Sequence, residues 1–460
     1  GDGANLTNIT ASIVNNRVSG NFAVSANLSV GGTSNFSGAV SLASTLSVVG
    51  AANFASTVTV VGATHLQSTV STAGAATFAS TVTVVGATHL QNTVSVGGAA
   101  TFASTVTVVG VGTFKSNVSV SGTTKLLGTV TATGNTGFLG TVRVSGATSL
   151  EAGLVVGGKA EFNDDVCVSG NSQLVGTLKV TGATTVTGNT GFLGTVRVSG
   201  ATSLEGALNV TGAALFSSTV TAVGAATFKS NVSVSGNMGI AGNVSVGGTF
   251  FAAGGITYDG DVSVSGDLNV LGNVSVGGTF LTTGKAEFED DVSVSGALIV
   301  GGASQLNSTV TVAGATHLQS TVSIAGAATF ASTVTVVGAT HLQNTVSVGG
   351  AATFASTVTV VGAGTFKSNV SVSGTTKLLG TVTATGNTGF LGTVRVSGAT
   401  SLEAALNVTG AALFSSTVTV AGATHLQSTV SIAGAATFAS TVTVVGATHL
   451  QSTVSVGGAA

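Results

Sequence analysis

The acidic residues are the first candidates for chemistry in this sequence. Two related phrases, KAEFNDD from Lys159 and KAEFEDD from Lys285, concentrate carboxylates in short stretches. Carboxylate oxygens are the ligands that Ca²⁺ prefers. The weak metal-ligating candidates are therefore Glu161, Asp164, Asp165, Glu287, Asp290 and Asp291. The calcium-binding nonapeptide of known solenoids is absent and each phrase carries its own lysine, so we favour a solvated face that discourages lateral aggregation. No metal site and no cofactor is predicted.

The six histidines are the second candidates, because imidazole is a common metal ligand. Each lies in the same THLQ context: His65, His89, His317, His341, His425 and His449. All are odd-numbered, and odd-numbered positions carry Thr, Ser, Asn and nearly all of the charged residues. We expect them to point outward around a convex surface without converging, as residues copied along with their repeat.

Asparagine in Asn-x-Ser/Thr sequons suggests glycosylation. The possible sites are Asn117, Asn231, Asn243, Asn273 and Asn369. All are odd-numbered and so predicted to face outward. An Asn that replaces Thr before Val-Ser creates a sequon automatically, and this simpler explanation is favoured.

Catalysis has little support in the composition. Charged residues make up only 6% of the 460 residues, against about a quarter in an ordinary soluble domain. No GxSxG motif, phosphate-cradling loop or helical periodicity is present, and Cys167 stands where the repeat usually has Ser or Thr. The sequence therefore predicts a protein that is not an enzyme.

A six-residue repeat, or hexad, must position all these groups. The phrases TVTVVG and ATHLQS from Thr57 are typical, and Gly20, Gly62, Gly200 and Gly458 share one place in the hexad. Within each hexad two even-numbered places are apolar, and alternation with period two predicts β-strands with one buried face. The largest predicted core side chains are Phe78, Phe102, Phe138, Phe192, Phe216, Phe330, Phe354 and Phe438.

Short strands separated by a bend every six residues predict an all-β, elongated β-helix. Three hexads form an 18-residue triangular turn. Two structures obey this rule: an interwoven homotrimeric triple β-helix and a single-chain triangular β-solenoid. At about 4.8 Å per layer, the solenoid would be roughly 120 Å long and the trimer about three times longer. Residues 1–19 are predicted to be an N-terminal joint or cap, and residues 20–460 a continuous shaft without a globular domain.

The tandem phrase GAATFASTVTVVGATHLQSTVSVGG, with LSVGGT at Leu28 and GNVSVGGT at Gly242, resembles the repetitive shafts of viral fibres, such as phage tail fibres and fibre-like proteins of large algal viruses. The opening GDGANLTNIT resembles their joint phrases. The resemblance implies a homotrimer on a virion surface, and for this reason we favour the interwoven homotrimeric triple β-helix over the single-chain solenoid. A receptor-binding tip and a self-cleaving C-terminal chaperone domain, which the family also has, are not recognisable in this sequence.

These observations predict a structural fibre shaft: a rigid spacer that presents a distal receptor-binding element from a virion surface. An extracellular filament or adhesin stalk of a cell is the first alternative, and a carbohydrate- or ice-binding Thr ladder, as at Thr57 and Thr59, is the second. The expected partner is the chain itself, as a homotrimer or filament, with any surface glycan or receptor bound through regions outside this sequence. The net charge is −2 and no basic run or long apolar run stands out, so neither nucleic-acid binding nor membrane insertion is expected.

Overall fold

In a computed structural model, the chain forms two compact units, Gly1–Ser230 and Asn231–Ala460. The structure describes residues 20–458 and, before them, the backbone of two short strands. The predicted joint at residues 1–19 lies outside the described residues apart from those two strands.

Strands follow one another with a fixed spacing in both units. Strand β1 is Ser12–Ile13 and β2 is Asn16–Val18. From β3, Phe22–Val24, every strand has three residues and begins six residues after the preceding one, up to β75, Val454–Val456. Strands β1–β37 belong to the first unit and β38–β75 to the second. The described residues contain no helix, so the all-β prediction is confirmed.

Each strand pairs in parallel with the third strand along the chain. Within the first unit, Val58 of β9 (Val58–Val60) lies opposite Ala76 of β12 (Ala76–Phe78). Backbone hydrogen bonds continue at the bends, where Val58 N donates to Ala75 O at 2.9 Å. The register of 18 residues means that three strands complete one turn, so each unit is a parallel β-solenoid with about twelve turns.

The two even-numbered residues of each strand face the axis of the coil. Within residues 20–440 they are buried, while the residue between them is exposed or half-buried. All eight phenylalanines named above are at most 6% exposed. Burying a side chain such as Val or Phe contributes about 1.5–3 kcal/mol, so the stack of inward residues is the main source of stability. The prediction of an elongated β-helix built from hexad strands is confirmed.

Bends bring the backbones of successive turns into contact. A Cβ atom added to Gly134 would lie 2.3 Å from the carbonyl carbon of Ser116, one turn earlier. On the adjoining strand, a Cβ added to Gly137 would meet nothing closer than the Val118 carbonyl oxygen at 3.8 Å. Close backbone approach therefore explains why glycine recurs at the bend.

One chain closes all three faces of each turn. The strand pairings within the two units lie within one chain, and the hexad rule is met by the single-chain solenoid and by the interwoven homotrimer alike. The interwoven homotrimer stays a prediction about the assembled protein.

Candidate functional surface

The 18-residue turn divides the outward residues into three faces. We name them by the middle residues of their strands. The hydroxyl face comprises β3 and every third strand after it, the charged face β2 and every third strand after it, and the mixed face β1 and every third strand after it.

The hydroxyl face is the most uniform. In the first unit its outward residues after Ala23 are Ser41, Thr59, Thr77, Ser95, Thr113, Thr131, Ser149, Cys167, Thr185, Ser203 and Thr221. In the second unit they are Gly239, Thr257, Ser275, Ser293, Thr311, Thr329, Ser347, Thr365, Thr383, Ser401, Thr419, Thr437 and Ser455. Apart from Cys167 and Gly239, each unit thus has a single-file array of hydroxyl groups spaced by about 4.8 Å.

On the charged face of the first unit, five strands that stack directly on one another each carry a charged residue. We call these residues the basic column: Lys125, Arg143, Glu161, Lys179 and Arg197. The Glu161 carboxylate accepts a hydrogen bond from Lys179 Nζ at 3.0 Å and lies 3.8 Å from Arg143 Nε. The Lys179 hydrogen bond and the two nearby positive charges lower the pKa of Glu161.

The aspartates of the acidic phrases bind backbone groups of their own chain. Asp165 Oδ1 accepts a hydrogen bond from Ala183 N at 2.7 Å, one turn later, and Asp164 Oδ1 accepts one from Asp165 N at 2.9 Å. Asp290 is exposed. These aspartates lie at bends, and those with bonds stabilise the bend or the turn that follows.

Asp291 makes the most extensive contacts of any acidic residue in the second unit. It accepts hydrogen bonds from the Ser308 hydroxyl at 2.6 Å, from Thr309 N at 3.1 Å and from the Thr309 hydroxyl. These bonds, led by that of Ser308, lower the pKa of Asp291. Glu287 lies 3.9 Å from Lys285 Nζ. Among the described residues, no three His, Cys, Asp or Glu side chains gather closely enough to hold a metal ion.

The asparagines of the predicted glycosylation sites have a structural contact in common. The Oδ1 atom of each accepts a backbone N–H bond from the residue one turn later. These bonds are Asn117 with Asn135 at 2.9 Å, Asn231 with Thr249 at 2.9 Å, Asn243 with Asp261 at 3.0 Å, Asn273 with Asp291 at 3.3 Å and Asn369 with Asn387 at 2.9 Å. All five lie just before a strand, where this backbone N–H is not used by the ladder. Their amides therefore join successive turns, a role that sequence reasoning missed.

The histidines divide evenly between two faces. His65, His317 and His425 lie on the mixed face, and His89, His341 and His449 on the charged face. Two of them contact a neighbouring glutamine: His425 Nε2 lies 3.2 Å from Gln427 Nε2, and His449 Nε2 lies 3.1 Å from Gln451 Nε2. The exposed thiol of Cys167 lies on the hydroxyl face, in register between Ser149 and Thr185.

Buried hydroxyl groups interrupt the apolar core. Among residues 20–458, sixteen buried Ser and Thr hydroxyls have no hydrogen-bond partner, including those of Thr124, Ser172, Thr184 and Thr376. Three internal cavities of about 20 Å³ each lie beside hydroxyl-bearing residues of this kind. A buried polar group without a partner costs about 1–3 kcal/mol, so these positions are weak points of the core.

Tyr258 is the one tyrosine of the chain and is buried in the second unit. Its hydroxyl donates to the Met238 sulfur at 3.2 Å. Burial raises the pKa of Tyr258 far above its usual range, so the phenol stays neutral and serves as a core residue.

Comparisons with known proteins found no matching family model, no matching curated protein and no matching solved structure. In the described part of the chain, no helix has both the length and the apolar character needed to cross a membrane. The function must therefore be argued from the solenoid surface itself.

Proposed function

We propose that this chain is a structural rod, a spacer that holds whatever is attached to its two ends at a fixed separation. The observation that carries the proposal is the regular alternation of short strands and short bends, without longer loops, from β3 to β75. From β3 onward every strand has three residues, and each bend is only three residues long. Such a chain provides few flexible segments from which a catalytic site is usually built.

The energetics support a mechanical role. Within each unit, an internal turn is hydrogen-bonded to the turn before and the turn after it, and its inward residues are buried. In architectures of this kind, stability grows approximately with the number of stacked repeats. The proposal includes the extracellular setting, on a virion or a cell surface, that the resemblance to fibre shafts implies.

Mass and contour length test the proposal together. Native mass spectrometry and electron microscopy of the whole chain would give a monomer of 43.8 kDa and a rod roughly 120 Å long, at about 4.8 Å per turn, for the single-chain solenoid. A threefold mass with a threefold longer rod identifies the interwoven homotrimer, which is still a spacer. A compact or flexible particle would contradict the proposal.

The hydroxyl face favours a second candidate, a surface that binds a regular lattice such as ice or a crystalline polysaccharide. The observation is its near-complete Ser/Thr column, which neither of the other faces has. Thermal hysteresis and glycan-array binding would be measured for the double variant T311K/T329K and for a control on the mixed face, T335K/T353K. Activity lost only in the first variant supports this candidate. Wild-type inactivity, or equal loss in both variants, rejects it.

A further inference from the structure

We propose that the basic column of the first unit is a binding site for a linear acidic polysaccharide. The sequence shows no basic run, because the four basic residues of the column are spaced 18 or 36 residues apart. The fold brings them onto one face, where Lys125 pairs in register with Arg143, and Lys179 with Arg197. The column of five strands spans about 19 Å along the stack.

Like charges on directly opposed strand positions are destabilising. The column has two such pairs and only one carboxylate, that of Glu161, whose contacts are with Arg143 and Lys179. The net charge of the column is therefore +3, whereas the net charge of the whole chain is −2. A local arrangement that opposes stability is expected at a functional site, and an anionic ligand would remove the repulsion.

The residues beside the column indicate the class of ligand. Two positions before each column residue are Thr123, Thr141, Lys159, Thr177 and Thr195, all exposed. Cations therefore lie in one row and mostly hydroxyls in the adjacent row. Carboxylate or sulfate groups match the first row, and sugar hydroxyls match the second.

The cations are free to reach a ligand. The side chains of Arg143 and Lys179 are 55% and 51% exposed although both contact Glu161. The nearby Asp164 and Asp165 lie at the bend between the charged and hydroxyl faces, and their Oδ1 atoms accept backbone hydrogen bonds. None of the outward residues of these five strands or of their flanking positions is aromatic. Binding of single-stranded nucleic acid relies on aromatic stacking, so a polysaccharide is favoured.

Binding of the whole chain to heparin and to polygalacturonate would be measured over a series of salt concentrations, with dextran as the neutral comparison and a dT20 oligonucleotide as the nucleic-acid comparison. The test variant is K125Q/R143Q/K179Q/R197Q. The matched control, K115Q/K229Q/K285Q/K367Q, removes the same charge outside the column. The proposal expects at least a tenfold weaker affinity and a flatter salt dependence in the test variant, and less than a threefold change in the control.

A second variant, E161Q, raises the net positive charge of the column while changing only one residue, whose side chain is half-buried. It is expected to bind the acidic polysaccharides several-fold more tightly than the wild type. This variant tests binding at the column even if the quadruple variant folds poorly. The proposal is overturned if the wild type binds neither acidic polysaccharide at low salt, if both quadruple variants lose affinity equally, or if dT20 binds more tightly than the polysaccharides.

Discussion

Residues 117–152 of the first unit and 369–404 of the second have the same sequence but are followed by different residues. Each copy places a lysine and an arginine in register on the charged face, Lys125 with Arg143 and Lys377 with Arg395. The next residue on that face is Glu161 in the first unit and Leu413 in the second. One arginine therefore faces a carboxylate, and the other faces an apolar side chain.

The difference teaches that the surface chemistry of a residue in this fold depends on the residue 18 positions away more than on its sequence neighbours. The cores of the two copies are equivalent: Phe138 and Phe390 are each 6% exposed, and Val142 and Val394 are each fully buried. The copies should therefore respond equally to changes at inward and bend positions, and unequally to changes on the charged face.

The largest effect is expected from a charge placed in either core. Val142→Asp and Val394→Asp should each destabilise their own copy by at least about 4 kcal/mol, since an unpaired buried charge belongs to the most damaging class of substitution. Hydrogen exchange of the whole chain, followed by mass spectrometry, would locate the loss. The controls are the exposed positions Thr141→Asp and Thr393→Asp. Equal protection in the core and control variants would show that the inward assignment is wrong.

Bend glycines should give the next largest effect. Gly134→Ala and Gly386→Ala each place a Cβ 2.3 Å from a carbonyl carbon of the preceding turn, and overpacking of this kind costs about 1–3 kcal/mol.

The matched controls are Gly137→Ala and Gly389→Ala, where the nearest atom lies at 3.8 Å and 3.9 Å. Thermal unfolding of all four variants measures the effect. A bend variant as stable as its control would contradict the close backbone approach.

The buried hydroxyls should give a smaller effect of opposite sign. Thr124→Val and Thr376→Val keep the side-chain shape and remove a hydroxyl that has no partner in either copy. Each is expected to stabilise its copy by about 1 kcal/mol, measured by denaturant unfolding. The exposed neighbours Thr123→Val and Thr375→Val should change stability little, and destabilisation by the buried variants would indicate that their hydroxyls are bonded.

The smallest effect is expected from exchanging the residues that distinguish the copies. Glu161→Leu removes the carboxylate beside Arg143, and Leu413→Glu introduces one beside Arg395. Ion pairs at a protein surface contribute about 0.5 kcal/mol. At pH 7 the first change should therefore lower the local free energy of unfolding of its copy by that amount, and the second should raise it in the other copy.

The stabilisation by Glu161 should depend on pH, and the direction of its pKa shift gives the sign of that dependence. The pKa of Glu161 is lowered in the folded chain, so its stabilisation is complete above the carboxyl's ordinary pKa and disappears as the pH falls through the lowered value. Hydrogen exchange at neutral and acidic pH would measure it. A difference between wild type and Glu161→Leu that persists in acid would exclude the ion pair as its cause.

Alternation with period two was enough to predict which residues face inward, as Phe138 and Phe390 demonstrate. The sequence predicts an 18-residue turn, but the homotrimer and the single-chain solenoid stack different strands on one another, so the hexad rule alone did not group the outward residues into columns. For this reason the basic column and the bonds of Asn117 to the next turn were not predicted. The hydroxyl of Thr376 was likewise beyond prediction, because its missing partner depends on packing within one turn.

The 18-residue register also determines what gene duplication does to this protein. Lys125 and Lys377 are 252 residues apart, a whole number of turns, so the copied segment keeps its face. His65 and His89 are 24 residues apart, and the copied histidine therefore moves from the mixed face to the charged face. Duplications of both kinds preserve the core. Only the second kind redistributes side chains among faces, so unequal recombination can create new surfaces without disturbing the fold.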